Sequence, residues 1–125
     1  DAGVAPAEVD VVVADGAGSP DLDRAEAAAL RRVFGPYGVP VTAPQGLVGR
    51  AGSGAAALNV ATALLAMRHG LVPAVGNLDS PDPAYELDLV AAPRPQPVAT
   101  ALVAARGHGG FNSALVLRAA GGAPT

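Results

Sequence analysis

A chain of 125 residues is about one small domain, and since half of it is apolar with only two Phe and two Tyr, any core must be aliphatic and alanine-packed. A net charge of −3 without a basic run argues against a nucleic-acid partner. The lack of Cys excludes disulfides, thiolate nucleophiles and thiolate metal sites within this sequence.

Asp1 to Ala7 reads as a helix end and turn, punctuated by Gly3 and Pro6. The opening at Asp1 looks like the tail of an element, so the sequence is expected to be a piece of something longer. Val9 to Ala14 (VDVVVA) is a near-continuous β-branched apolar run, the pattern of a parallel strand buried on both faces. Asp15-Gly16-Ala17-Gly18-Ser19-Pro20 forms the loop at its C-terminal end, where sites lie in open α/β sheets. Asp21 to Phe34 is predicted as an amphipathic helix, with Asp21 or Ser19 as cap and Asp23 and Glu26 near its positive end. Leu22, Ala25, Ala29, Leu30 and Val33 would form its buried stripe, with Arg24, Arg31 and Arg32 in water. Gly35-Pro36 ends it. Val39 to Thr42 is a short strand, and Pro44 to Gly54 a long glycine loop.

Ala55 to His69 is the helix around which the chain is organised. It has no Gly or Pro, and from Ala55 to Met67 apolar residues run right round it, interrupted only by Asn59 and Thr62. That pattern predicts burial on every side. At about 1.5 Å per residue the helix spans about 22 Å, short of the ~20 residues a membrane span needs, so no membrane partner is expected. Gly70 terminates it. Leu71 to Asn77 is extended, Asp79 to Pro83 a turn, Leu87 to Ala92 a short strand, and Pro93, Pro95 and Pro97 a stiff edge connector. Thr100 to Ala105 and Ala114 to Leu117 read as an antiparallel hairpin with a wide tip, and Gly121 to Thr125 as a tail. The order predicts an α/β fold with one mixed five-stranded sheet, Leu87–Ala92 being accessory or at its edge.

Gly52, Gly54 and Ala57 match G-x-G-x-x-A before a helix, but the preceding strand ends some ten residues too early, and no acidic residue closes a following strand at the right distance. Tight backbone packing is the better reading of these glycines, with a bare anion site at the helix N-terminus as the lesser one. No cofactor is expected. Of the two imidazoles, His69 sits in the last turn of a helix, where a solvated structural role is usual. His108 lies at a glycine-rich tip and is the better candidate, although no second metal-ligand pattern accompanies it. No metal is expected.

Four separated blocks carry a resemblance: Asp15-Gly16-Ala17; Gln45 to Arg50 with Gly49; the run ATALLAMRHGLVP from Ala61 to Pro73 with Asn77 to Pro83; and Gly107-His108-Gly109-Gly110-Phe111-Asn112 with the text through Arg118. Over nearly its whole length the chain resembles the C-terminal half of a β-ketoacyl synthase, of the thiolase-like fold. Active members carry H-G-T at the first block, K-x-x-x-G-H at the second and G-F-G-G-x-N at the hairpin tip. The resemblance implies that two histidines donate to a thioester carbonyl and that the lysine supports them, donors that stabilise developing charge. Here those positions read Asp15, Arg50 and Gln45. An ionised Asp15 is acceptor-only, and Arg50 cannot return a proton near neutral pH.

Asp-Gly-Ala-Gly, Gly-Arg and the Arg-Gly-x-Gly-Gly-Phe-Asn-Ser tip are similar to the chain-length factor, or ketosynthase beta subunit, of type II polyketide synthases. That resemblance implies a non-condensing subunit that pairs with a catalytic ketosynthase and shapes the tunnel for the growing poly-β-keto chain. It also implies a cytoplasmic heterodimer, an acyl-carrier-protein-borne substrate, and an N-terminal half of the same subunit whose matching helix packs against Ala55–His69. His108, Gly109, Gly110, Phe111 and Asn112 become tunnel or loop candidates, and residues 1–125 one thiolase-like half-domain. Asp15 and Arg50 are expected to pair. Two alternatives stand beside this reading: a condensing enzyme with relocated donors Arg50 and His108, and a stand-alone small-ligand or anion-binding α/β module.

Overall fold

The computed structural model describes residues 1–121. Their elements are β1 (Val11–Val13), α1 (Pro20–Phe34), β2 (Pro40–Thr42), α2 (Gln45–Val48), α3 (Ala55–His69), β3 (Leu71–Val72), β4 (Asp88–Leu89), β5 (Arg94–Pro95), β6 (Thr100–Arg106) and β7 (Asn112–Arg118). Five strands form the expected mixed sheet in the order β4-β2-β1-β6-β7. β1 is central and parallel to β2 and β6, placing Val12 opposite Val41 and Leu102. β4 is the parallel edge strand beside β2, and β7 runs antiparallel to β6. The tail expected over residues 121–125 is described only at Gly121; residues 122–125 lie outside the described residues.

The run of three valines in β1 follows from this position. Val11 and Val13 face a cluster with Ala63 and Ala66 of α3, while Val12 faces Leu30 of α1, Val39 and Val41. Both faces of the strand are covered, so no alternation with polar residues is needed.

The burial expected all round α3 is met on one face only. Ala55, Asn59, Ala63 and Ala66 are buried at helical spacing, and small side chains let the helix lie close to the sheet. On the other side Leu64 and Leu65 are 51% and 54% exposed, and Ala56, Ala57 and Ala61 also face out. A single sheet covers a single helix face, and among the described residues no element covers the opposite one.

Four further expectations need correction. In α1 the buried residues are Glu26, Ala27 and Leu30, whereas Leu22, Ala25, Ala29 and Val33 are exposed. The buried face is displaced by about one residue, roughly 100° on a helix, because the Glu26 carboxylate is hydrogen-bonded inside. Secondly, the glycine loop is not open: it contains α2 and a 3-10 turn at Gly52–Gly54. Tight packing explains Gly46, where a Cβ would sit 2.6 Å from the Gly76 carbonyl oxygen, but Gly49 and Gly52 have positive φ and nothing nearby, so conformation is what places glycine there. Thirdly, the proline connector contains β5, which pairs antiparallel with β3 as a second sheet of two strands. The hairpin tip is also narrower than expected, since the β6–β7 ladder runs to Arg106 opposite Asn112.

Arg94 of β5 ties this small sheet to the edge of the large one through two hydrogen bonds to Asp88, of 2.7 and 2.8 Å. Those bonds hold the Asp88 carboxyl below its ordinary range, against partial burial. Because the pKa is lowered in the folded state, the pair stabilises above the unfolded value of about 3.9, and that contribution fades as pH falls through the folded value. Both side chains are about a third exposed, so Asp88→Asn should cost no more than about 1 kcal/mol at pH 7. The difference in urea midpoint between the two proteins should shrink on acidification to about pH 3; a deficit that stays constant over that range would assign it to something other than the pair.

Candidate functional site

The site begins where the β1 ladder stops. The Ala14 N–H still donates to the Thr42 carbonyl at 2.8 Å, the last such bond of the strand. Beyond it, side chains from three helices take over. Asn59 of α3, fully buried, donates through Nδ2 to the carbonyls of Ala14 (3.1 Å) and Ala104 (3.4 Å), joining the C-terminal ends of β1 and β6. Glu26 of α1 accepts the N–H of Asp15 at 2.8 Å and of Gly16 at 3.0 Å, one on each carboxylate oxygen. Gln45 of α2 donates to the Asp15 carbonyl at 2.8 Å and accepts the Ala51 N–H at 3.3 Å. The chain then turns at Gly16, whose φ of 54° and lack of a side chain are both required: a Cβ there would meet that of Ala43 at 2.8 Å.

This scaffold buries Asp15 to 2% exposure and points its carboxylate at Arg50. Arg50 Nη2 lies 3.7 Å from Oδ2, an ion pair too long for a direct hydrogen bond. Oδ1 accepts the Arg106 N–H at 3.4 Å, and Oδ2 has no hydrogen-bond donor among the described residues. The pairing expected from sequence is therefore present. A buried carboxylate without its cation would be costly, and the Arg50 guanidinium, a little over a third exposed, offsets that cost.

Above this floor opens a cleft of about 990 Å³. Asp15, Arg50 and Ser53 line one side, and the hairpin tip from Arg106 to Ser113 lines the other. His108, Gly109, Gly110, Phe111 and Asn112 are thus all brought to the cleft, while Gln45 is buried beneath it as a brace rather than a wall. His69 is exposed at the far end of α3. The floor presents a buried carboxyl group beside a guanidinium, a pair whose hydrogen-bonding capacity differs from that of the two imidazoles the resemblance puts there. Among the described residues no helix is long and apolar enough to cross a membrane, and no three His, Asp or Glu converge as metal ligands.

Sequence reading missed three participants: Glu26, Asn59 as a clamp, and Arg106, whose guanidinium donates to the Leu22 carbonyl at 2.9 Å. Asn59 had a signal, as one of two polar breaks in an otherwise apolar helix. Glu26 had none, because an acidic residue near a helix start is ordinarily solvated.

Burial raises the Glu26 pKa, and the Asp15 charge adds to this; the two backbone N–H groups and Arg106 oppose it. A carboxyl whose folded pKa lies above the unfolded value of about 4.3 contributes most to stability below that value. Its contribution declines as pH rises to the folded pKa and is constant beyond. Glu26→Gln should remove that slope. Urea titrations from pH 4 to 7 should show wild type losing stability relative to Glu26→Gln as pH rises above the unfolded value; parallel curves would show that Glu26 is not strained by burial.

Residues 1–79 match the family described as beta-ketoacyl synthase, C-terminal domain. The chain is 59% identical over 119 residues to the tetracenomycin polyketide synthase ketoacyl synthase beta subunit of Streptomyces glaucescens, an alignment that takes in 94% of this chain and 29% of that protein. Among solved structures it superposes on the ishigamide ketosynthase/chain length factor with a TM-score of 0.91 and 29% identity, over 95% of this chain and 30% of that one. It also matches a ketosynthase bound to the hexaketide, in complex with its type II polyketide synthase acyl-carrier protein, at TM-score 0.87 and 28% identity, over 94% of this chain and 29% of that one. The chain therefore spans less than a third of the length of these relatives. The fold is the thiolase-like α/β class that the motifs implied. With the family profile matched over more than half of its residues, the chain belongs to the beta-ketoacyl synthase family, as a C-terminal domain of it.

Proposed function

We propose that residues 1–125 are the C-terminal half-domain of a non-condensing chain-length-factor subunit. The subunit pairs with a catalytic ketosynthase and helps to shape the tunnel in which a carrier-protein-borne poly-β-keto chain grows. The observation that carries this reading is the Asp15–Arg50 pair on the cleft floor. The family resemblance puts two neutral or protonated hydrogen-bond donors at those positions, aimed at one thioester oxygen. In their place stand an anion, which repels an enolate or a carboxylate, and a cation already engaged by it. The similarity to a ketosynthase beta subunit and to a ketosynthase/chain length factor supports the same assignment. On this reading the subunit works in the cytoplasm, needs no cofactor of its own, and meets its substrate through the catalytic partner.

Reconstitution tests it. The full-length subunit, supplied with malonyl-loaded acyl carrier protein, should form no carbon–carbon bond alone. It should support polyketide formation when the catalytic ketosynthase is added. Condensation by the purified subunit alone, dependent on Arg50 and His108, would instead establish a condensing enzyme with relocated donors.

A further inference from the structure

We propose that Glu26 is the positioning residue of the cleft floor, holding Asp15 against Arg50 although it touches neither side chain's charged group by a hydrogen bond. The main-chain N–H groups of Asp15 and Gly16 have no partner on the strand ladder, and both point at the two oxygens of this one buried carboxylate. The Asp15 carbonyl is fixed separately by Gln45. With N–H and C=O both held by side chains, the peptide planes flanking Asp15 cannot rotate. The direction of its Cα–Cβ bond, and hence of the carboxylate, is set from α1 and α2 rather than by the sheet. The carboxylate itself has little else to orient it: one bond of 3.4 Å from the Arg106 N–H, and Arg50 at 3.7 Å. Gly16 makes this control necessary, because a residue with φ of 54° and no side chain is the hinge about which the turn would otherwise relax. Loss of the Glu26 carboxylate therefore lets Asp15 swing and leaves Arg50 as a free cation facing the cleft. This holds whether or not the subunit condenses, so it does not depend on the function proposed above.

The test reads the state of Arg50 in the full-length protein. Phenylglyoxal modifies unpaired guanidinium groups, and peptide mapping gives the rate at each arginine, with exposed Arg32 as internal reference. Glu26→Ala should raise the Arg50 rate relative to Arg32 about two- to fivefold, the range expected when a partly exposed guanidinium 3.7 Å from its carboxylate is released. Glu26→Gln keeps one acceptor oxygen, and should fall between wild type and Ala while folding more readily. Asp15→Asn, which removes the anion directly, sets the upper limit. A residue that merely stabilised the fold would raise all arginine rates together or none. An Arg50 rate unchanged in Glu26→Gln and Glu26→Ala while Asp15→Asn raises it would overturn the proposal. So would an unchanged rate in all three variants, since no pair would then exist in solution to be positioned.

Discussion

Expressed by itself, the 125-residue chain should aggregate, and a double substitution Leu64→Glu with Leu65→Glu should convert it to a monodisperse species. These two leucines are each about half exposed on the uncovered side of α3, next to the outward-facing Ala56, Ala57 and Ala61. Full burial of a leucine is worth roughly 1.5–3 kcal/mol, so the pair forfeits about that much between them by staying half in water. A domain of this size holds only about 5–15 kcal/mol in total, and the exposed stripe also invites association. In the full-length subunit the same double substitution should do the reverse. It would place two carboxylates where another helix is proposed to pack, and should abolish recovery of the folded heterodimer. Size exclusion and amide exchange decide both arms. A wild-type monomer of residues 1–125 with a cooperative melt and protected Ala55–His69 amides would favour a stand-alone module.

The second large effect belongs to Asn59. Asn59→Ala should destabilise by about 2–4 kcal/mol, since it strips the carbonyls of Ala14 and Ala104 of their donor and leaves a hole the size of an amide group. Asn59→Leu restores the volume but not the donor. It should recover only the cavity part of the loss, and the difference between the two variants separates packing from hydrogen bonding. Chemical denaturation of the full-length subunit measures both. A loss within about 0.5 kcal/mol for either, the size of an ordinary surface change, would mean that the two strand ends do not rely on this clamp.

Much of this was legible from the residues. The run VDVVVA announced a central parallel strand because both of its faces meet helices, and Ala55–His69 announced itself by having no polar face at all. What misled was the same logic applied to α1. Counting Leu22, Ala25, Ala29 and Val33 as a core stripe assumes that apolar side chains decide which face turns in, yet two backbone N–H groups at the end of β1 drew Glu26 inside instead. A hydrogen bond between residues 11 positions apart in a loop-to-helix connection leaves no periodic trace. The pairing of Asp15 with Arg50 was readable only because the resemblance set both on one substrate atom; spacing alone would never have joined a loop residue to one 35 positions later. β5 escaped notice for a different reason, since prolines normally mark breaks and here one sits at the rim of a two-residue ladder.

The most direct test is turnover of the reconstituted ketosynthase complex with Asp15→Ala, and separately Arg50→Ala, in this subunit. Each variant must first be shown to form an intact heterodimer. If, as proposed above, neither side chain donates to a transition state in this cleft, the rate of condensation per complex should stay within a few-fold of wild type for both. A fall of about 10²-fold or more in a stable heterodimer, the size that accompanies loss of a transition-state donor, would show that the pair takes part in the chemistry and would contradict the non-condensing assignment.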